Sequence, residues 1–170
     1  MIARLISALV GHNPAEAQQT IERLSSLLRA SLDAAETVPL ERELKLVTDY
    51  LEIQRTRLGE RLRYDVSVAS DARASVPPFA IQLLVENSIK HVGGQREQGV
   101  TVHVSAHRMG ADLIVLVADD GPGFDPDAMK AGHGLDILQN RLQALYGERG
   151  DLEFRREPGG MSVRLRVPAT

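Results

Sequence analysis

The stretch Ala118–Leu138, ADDGPGFDPDAMKAGHGLDIL, decides how this chain is read. It grows out of "LIVLVA" (113–118), a short continuous apolar run that reads as a strand buried on nearly both sides. Asp119 ends that run, where a carboxylate is costly unless a donor meets it. The exocyclic amine of a purine is one such donor. Gly121 and Gly123 let the backbone approach a flat ligand with no Cβ in the way. Gly132 and Gly134 then precede "GLDILQNRLQALYG" (134–147), a helical pattern whose first amides suit an anionic phosphate. Taken singly, each piece is equally a strand-to-helix connection with turn glycines.

Outward from that loop, the apolar period changes several times. Upstream, "VTVHVSAHR" (100–108) alternates as a half-buried strand, and "MGAD" turns it into the buried run. Downstream, "DLEFRRE" and "MSVRLRV" are strands joined across "PGG". Before them lie the strand pattern "RLRYDVSVA" (61–69) and the helix "VPPFAIQLLVENSIKHV" (76–92), entered through two prolines. The order from residue 60 is β-α-β-β-loop-α-β-β. Short turns imply antiparallel neighbours, so the expected fold is α/β: a two-layer sandwich with a mixed sheet and helices on one face.

The first third reads as a helical hairpin. Asn13 and Pro14 open one helix, with Ile21, Leu24, Leu28 and Leu32 on its stripe. A second starts near Pro39, carries Leu40, Leu44, Val47, Leu51 and Leu58, and stops at Gly59. Such helices either pair within a dimeric bundle or lie on the domain's own core. The expected division is a helical segment over 1–59 and a sheet domain over 60–170.

Composition narrows the function. A net charge of −3 and 4% aromatic residues argue against general nucleic-acid binding. The absence of cysteine removes disulfides and thiolate chemistry, and fits a cytoplasmic location. No apolar run approaches a membrane span, so no membrane contact is expected from this segment.

On the helix after the prolines, Glu86, Asn87, Lys90 and His91 lie away from the apolar face of Ile81, Leu84, Val85 and Ile89. A carboxylate, an amide oxygen, an ammonium and an imidazole suit a Mg²⁺-bound polyphosphate, since Mg²⁺ takes few protein ligands alongside phosphate oxygens. E-N-x-x-K-H, then D-x-G-x-G, then G-x-G-L resemble the N, G1 and G2 boxes of the GHKL ATP-binding superfamily. "LERELKLVTDYLEIQRTRLGERLRYDV", "PPFAIQLLVENSIKHV", "RLQALYG" and "GGMSVRLRVP" are similar to LytS-like sensor histidine kinases over nearly the whole chain.

The resemblance implies a Bergerat-type pocket for ATP and Mg²⁺. Asn87 would bind the metal, Asp119 the adenine amino group, and Gly121 and Gly123 would flank the base. Lys90, His91, Gly132, Gly134 and Leu135 would complete the nucleotide site, and Glu86 would act near the γ-phosphate. It further implies a homodimer through the N-terminal helices, a response regulator as partner, and a place on the cytoplasmic side of a membrane-anchored sensor. Several positions depart from the pattern. The segment bearing the phosphate-accepting histidine, P-H-F-L-F-N in that subfamily, is expected to be missing, with "MIARLISALVG" where it should just have ended. Lys130 leaves two of three lid glycines. Ile137 stands where Asn is common. Met161 replaces the threonine that supports the adenine-binding aspartate, and Ser162 is the neighbouring candidate to compensate. The competing readings are a nucleotide-sensing module without catalysis and a serine kinase of the anti-sigma type.

Overall fold

The computed structural model describes residues 15, 18, 21, 22, 35–90, 99–121 and 134–170. The first expected helix is described at residues 15, 18, 21 and 22, all helical, where Gln18 donates to Glu22 at 3.1 Å, and its expected cap at Asn13 lies outside the described residues. His12, His91, Gly123, Gly132 and His133 lie outside the described residues.

Five strands form one sheet, and they belong to two hairpins and one crossover. β2 (Leu62–Val68) runs parallel to β4 (Val100–Met109). The helix α2 (Ala80–Lys90) connects them, as a parallel pair requires. β4 turns at Gly110, whose φ is +64°, into the antiparallel β5 (Asp112–Asp119). After α3 (Gly134–Tyr146), β6 (Asp151–Glu157) and β7 (Gly160–Pro168) form the second hairpin, and β7 inserts beside β5. The sheet is mixed, as the element order and short turns predict, and α/β is the fold class.

The alternation decides which face is buried. Val102, Val104 and Ala106 of β4, Leu113, Val115 and Val117 of β5, and Val163, Leu165 and Val167 of β7 share one core with α2 and α3. On the opposite face β5 still places Ile114 and Leu116, and polar, ion-paired residues surround them on the neighbouring strands and turns. Arg149 meets Asp112 at 2.8 Å and Arg155 meets Glu153 at 2.9 Å. His103, expected on a strand, is exposed on β4 and pairs with Asp65 across the parallel strands.

The helix α1 (Leu40–Leu58) begins and ends where the sequence indicates. Gly59, at φ +60°, closes it by donating to the Arg55 carbonyl. Of the two arrangements open for this helix, its packing favours the domain's own core. Leu40, Leu44, Val47 and Leu51 are buried in the same cluster as the sheet. Just before it, Val38–Pro39 (β1) pairs antiparallel with Ser75–Val76 (β3), a two-stranded ribbon the sequence patterns did not indicate.

Candidate functional site

Asp119 ends β5 on the face of the sheet that α2, the helix of Glu86 and Asn87, packs against. Asp119 continues the inward set Leu113, Val115 and Val117 by the two-residue period of a strand. Its carboxylate therefore sits at the edge of the layer that α2 occupies, and it is half-buried. The Gly121 amide donates to Asp119 Oδ1 at 2.9 Å, which fixes the carboxylate and folds the chain sharply past the strand end. The following residue, Asp120, is tied back to β4 by accepting from the Thr101 amide at 2.9 Å.

β7 approaches this corner closely. A Cβ on Gly160 would lie 2.0 Å from the Asp119 carbonyl oxygen, so only glycine fits there. The register partner of Asp119 on β7 is Met161, and Ser162 pairs with Ala118 instead. Ser162 therefore points to the opposite face, where its hydroxyl donates to Glu157 at 3.1 Å. It does not compensate for the absent threonine. The neighbour of the Asp119 carboxylate on β7 is a buried thioether with no hydroxyl to offer.

α2 carries the polar set. Ile81, Leu84, Val85, Ser88 and Ile89 are buried, Glu86 and Asn87 are half-buried, and Lys90 is exposed at the helix end. Asn87 Nδ2 donates to the Leu83 carbonyl at 2.8 Å. That bond orients the amide and leaves Oδ1, the hard oxygen donor, as the atom free for a cation. Glu86 Oε1 accepts from Gln82 Nε2 at 2.8 Å. An amide oxygen beside a carboxylate is a donor set that fits Mg²⁺ sharing its shell with phosphates. Among the described residues, no three His, Cys, Asp or Glu side chains cluster as a self-sufficient metal site.

A cleft of about 320 Å³ opens between α2 and α3. Phe79, Leu83 and Glu86 line it from α2 and its entrance, and Gly134, Ile137 and Arg141 from α3. Gly134 is packed tightly, since a Cβ there would lie 3.0 Å from Leu83 Cδ1. The start of α3 is thereby held against α2, one turn before Glu86. Asn87, Asp119 and Gly121 do not line this cleft, and Leu135 faces the core at 8% exposure. Tyr50, on α1, is also near Glu86. Burial, with the Glu86 carboxylate second, pushes the Tyr50 phenol up to about 12.

Sequence reasoning passed over Glu43 and Arg141. Glu43 is fully buried on the apolar stripe of α1, and its carboxylate accepts from the amides of Phe79 and Ile81 at the start of α2. The available signal was a charge between Leu40 and Leu44 on an otherwise apolar face. Arg141 donates to the Glu36 carbonyl at 3.1 Å and more distantly to the Pro78 carbonyl at 3.5 Å. An arginine on an amphipathic helix carries no such signal.

Residues 79–170 match the family model described as histidine kinase-, DNA gyrase B-, and HSP90-like ATPase, and residues 3–62 match the histidine kinase model. The sensor histidine kinase/phosphatase LytS of Staphylococcus aureus is 34% identical over 96% of this chain. The chain spans 31% of that relative's length. The catalytic domain of histidine kinase ThkA shares the fold with a TM-score of 0.63 at 17% identity, over 80% of this chain and 97% of that domain. A second solved structure, ThkA in complex with response regulator protein TrrA, has a TM-score of 0.58 at 15% identity, over 99% of this chain and 59% of that one. The chain belongs to the histidine kinase-, DNA gyrase B- and HSP90-like ATPase family, and within it is similar to the LytS-type sensor histidine kinases.

Proposed function

We propose that this chain is the Mg²⁺-ATP-binding catalytic part of a two-component sensor histidine kinase. The observation that carries the reading is that Asp119 ends β5 on the inward face of the sheet, and that Glu86 and Asn87 stand half-buried on the helix packed against that face. Asp119 would accept from the adenine amino group, with Gly121 beside the base and Gly123 following it. Asn87 Oδ1 would hold Mg²⁺, whose charge neutralises the phosphates when it is bound. Lys90 and His91 would add positive charge, and Gly132, with Gly134 and Leu135 at the start of α3, would border the phosphates.

Phosphoryl transfer depends mainly on positioning and charge neutralisation. An acceptor imidazole nitrogen would form a bond to the γ-phosphorus while the bond to the β–γ bridging oxygen breaks, and ADP departs with that oxygen. Glu86 would polarise the imidazole by accepting its other N–H. The acceptor would be supplied by another segment or chain, and the phosphoryl group relayed to an aspartate of a response regulator. The relative in complex with a response regulator supports that partner, and the match over residues 3–62 supports a homodimer through the N-terminal helices. Among the described residues no helix is long and apolar enough to cross a membrane, and the site would lie on the cytoplasmic side of such a sensor.

The test is incubation with γ-labelled ATP. The 170 residues alone should gain no acid-labile phosphate, because none of their five histidines is at the acceptor position of the resemblance. A LytS-type acceptor segment added in trans should be labelled. Labelling that persists unchanged in Glu86→Gln would contradict the catalytic role given to that residue.

A further inference from the structure

The entrance to α2 has an unusual requirement. Pro77, Pro78 and Phe79 offer no side-chain oxygen to the first amides of the helix, which have no partner within it. Phe79 also stands at φ +63°, a left-handed conformation that bulky side chains rarely adopt. Something outside the helix must hold this turn. That partner is Glu43, ten residues before Ile53 on α1 and 0% exposed. Its Oε1 accepts from the Phe79 amide at 2.6 Å and its Oε2 from the Ile81 amide at 3.2 Å.

Both carboxylate oxygens are thus spent on a different helix. A side chain serving only to fill this stripe would be apolar, like its neighbours Leu40, Leu44 and Val47. Arg141 of α3 reaches the same turn through the Pro78 carbonyl, and its charge favours the ionised carboxylate. Burial nevertheless pushes the Glu43 carboxyl above its usual range, against the bonds from Phe79, Ile81 and Gln82. The turn that starts α2 is therefore held by α1 from one side and α3 from the other.

We infer that Glu43 is a positioning residue that clamps the first turn of α2 to α1, so that the placement of α1 sets the placement of Glu86 and Asn87. Those two side chains follow Phe79 by about two helical turns on a short, rigid element. Glu43 lies within the 3–62 match and its bonding partners within the 79–170 match, so the carboxylate joins the two. Regulation of the site by movement of the N-terminal helices would pass through it. The inference rests on the nucleotide reading for its consequence, but the clamp itself is a property of the two helices.

The experiment is hydrogen exchange on the chain and on Glu43→Gln, with and without Mg²⁺-ATP, together with nucleotide affinity. Without nucleotide, the variant should exchange roughly tenfold or more faster over residues 79–86, the scale of losing a charge-assisted bond, while β4, β5 and β7 stay protected. Binding is reciprocal, so ATP added to the unaltered chain should slow exchange in α1 around residue 43, and this slowing should vanish in the variant. Nucleotide affinity should fall by a similar factor. Equal acceleration across sheet and helices would overturn the inference, since that is the signature of a residue that only stabilises the core. So would slowing of α1 by ATP that survives in the variant. If Glu43→Gln does not fold, Glu43→Asp keeps the charge but is too short to reach both amides, and the same local acceleration is expected. A chain that binds no nucleotide would overturn the functional reading instead, and exchange over residues 79–86 would still decide the clamp.

Discussion

Gly160→Ala tests how tightly the corner around Asp119 is built. The added Cβ would begin 2.0 Å from the Asp119 carbonyl oxygen, so β5 and β7 must part by roughly 1 Å before the contact becomes tolerable. Forcing an extra carbon into a packed site costs about 1–3 kcal/mol. Losing the last pairing between these strands, where Asp119 faces Met161, adds about 1 kcal/mol. A loss of about 2–4 kcal/mol lowers Tm by roughly 4–15 °C in a chain of this size. The atom struck belongs to Asp119 itself, so its carboxylate must shift and nucleotide affinity should fall with stability. Gly159→Ala is the control. Its Cβ meets nothing within 4 Å, but φ is +93°, so it pays only backbone strain of about 1–2 kcal/mol. Thermal unfolding and calorimetric titration with ATP should separate the two variants, with binding lost only in Gly160→Ala. Equal stability and equal affinity in both would refute the close approach and its link to the site.

Two further outcomes follow from the same geometry. Absorbance titration should place the Tyr50 phenol at about 12, assigned with Tyr50→Phe, and Glu86→Gln should bring its midpoint down because that carboxylate contributes to the rise. A folded value above the ordinary 10.0 means that Tyr50 contributes stability present below pH 10.0 and lost as pH rises through about 12. Met161→Thr should return a hydroxyl to the strand position facing Asp119 and tighten nucleotide binding roughly three- to tenfold, at a stability cost of about 1–3 kcal/mol from the lost thioether burial. Looser or unchanged binding in a folded Met161→Thr would show that Asp119 needs no such support.

Features set by local period and turn chemistry were legible in the sequence. The α1 limits at Pro39 and Gly59, the hairpin through Gly110 and the inward alternation of β4 all follow from residues within a few positions of one another. The polar set on α2 was legible for the same reason, since Glu86 and Asn87 fall off a clear apolar stripe. Strand order was not, because insertion of β7 between β5 and β6 depends on contacts more than forty residues apart. Nor was the orientation of Ser162, which only the register against Ala118 decides. The ribbon of β1 with β3 is two residues long on each side, too short for any period to show. Glu43 was missed for a different reason. A glutamate one step from a leucine on a helix ordinarily lies at the edge of the apolar face, whereas here the bare entrance of α2 draws it inside.

Binding of Mg²⁺-ATP at this corner of the fold would depend on Asp119. The direct measurement is isothermal titration of ATP, with and without Mg²⁺, into the chain and into Asp119→Asn. The unaltered chain should show one saturable site, strengthened by Mg²⁺. Binding should weaken by roughly tenfold or more in Asp119→Asn, where the charged acceptor facing adenine becomes a neutral amide. Identical affinity in the two proteins would contradict it.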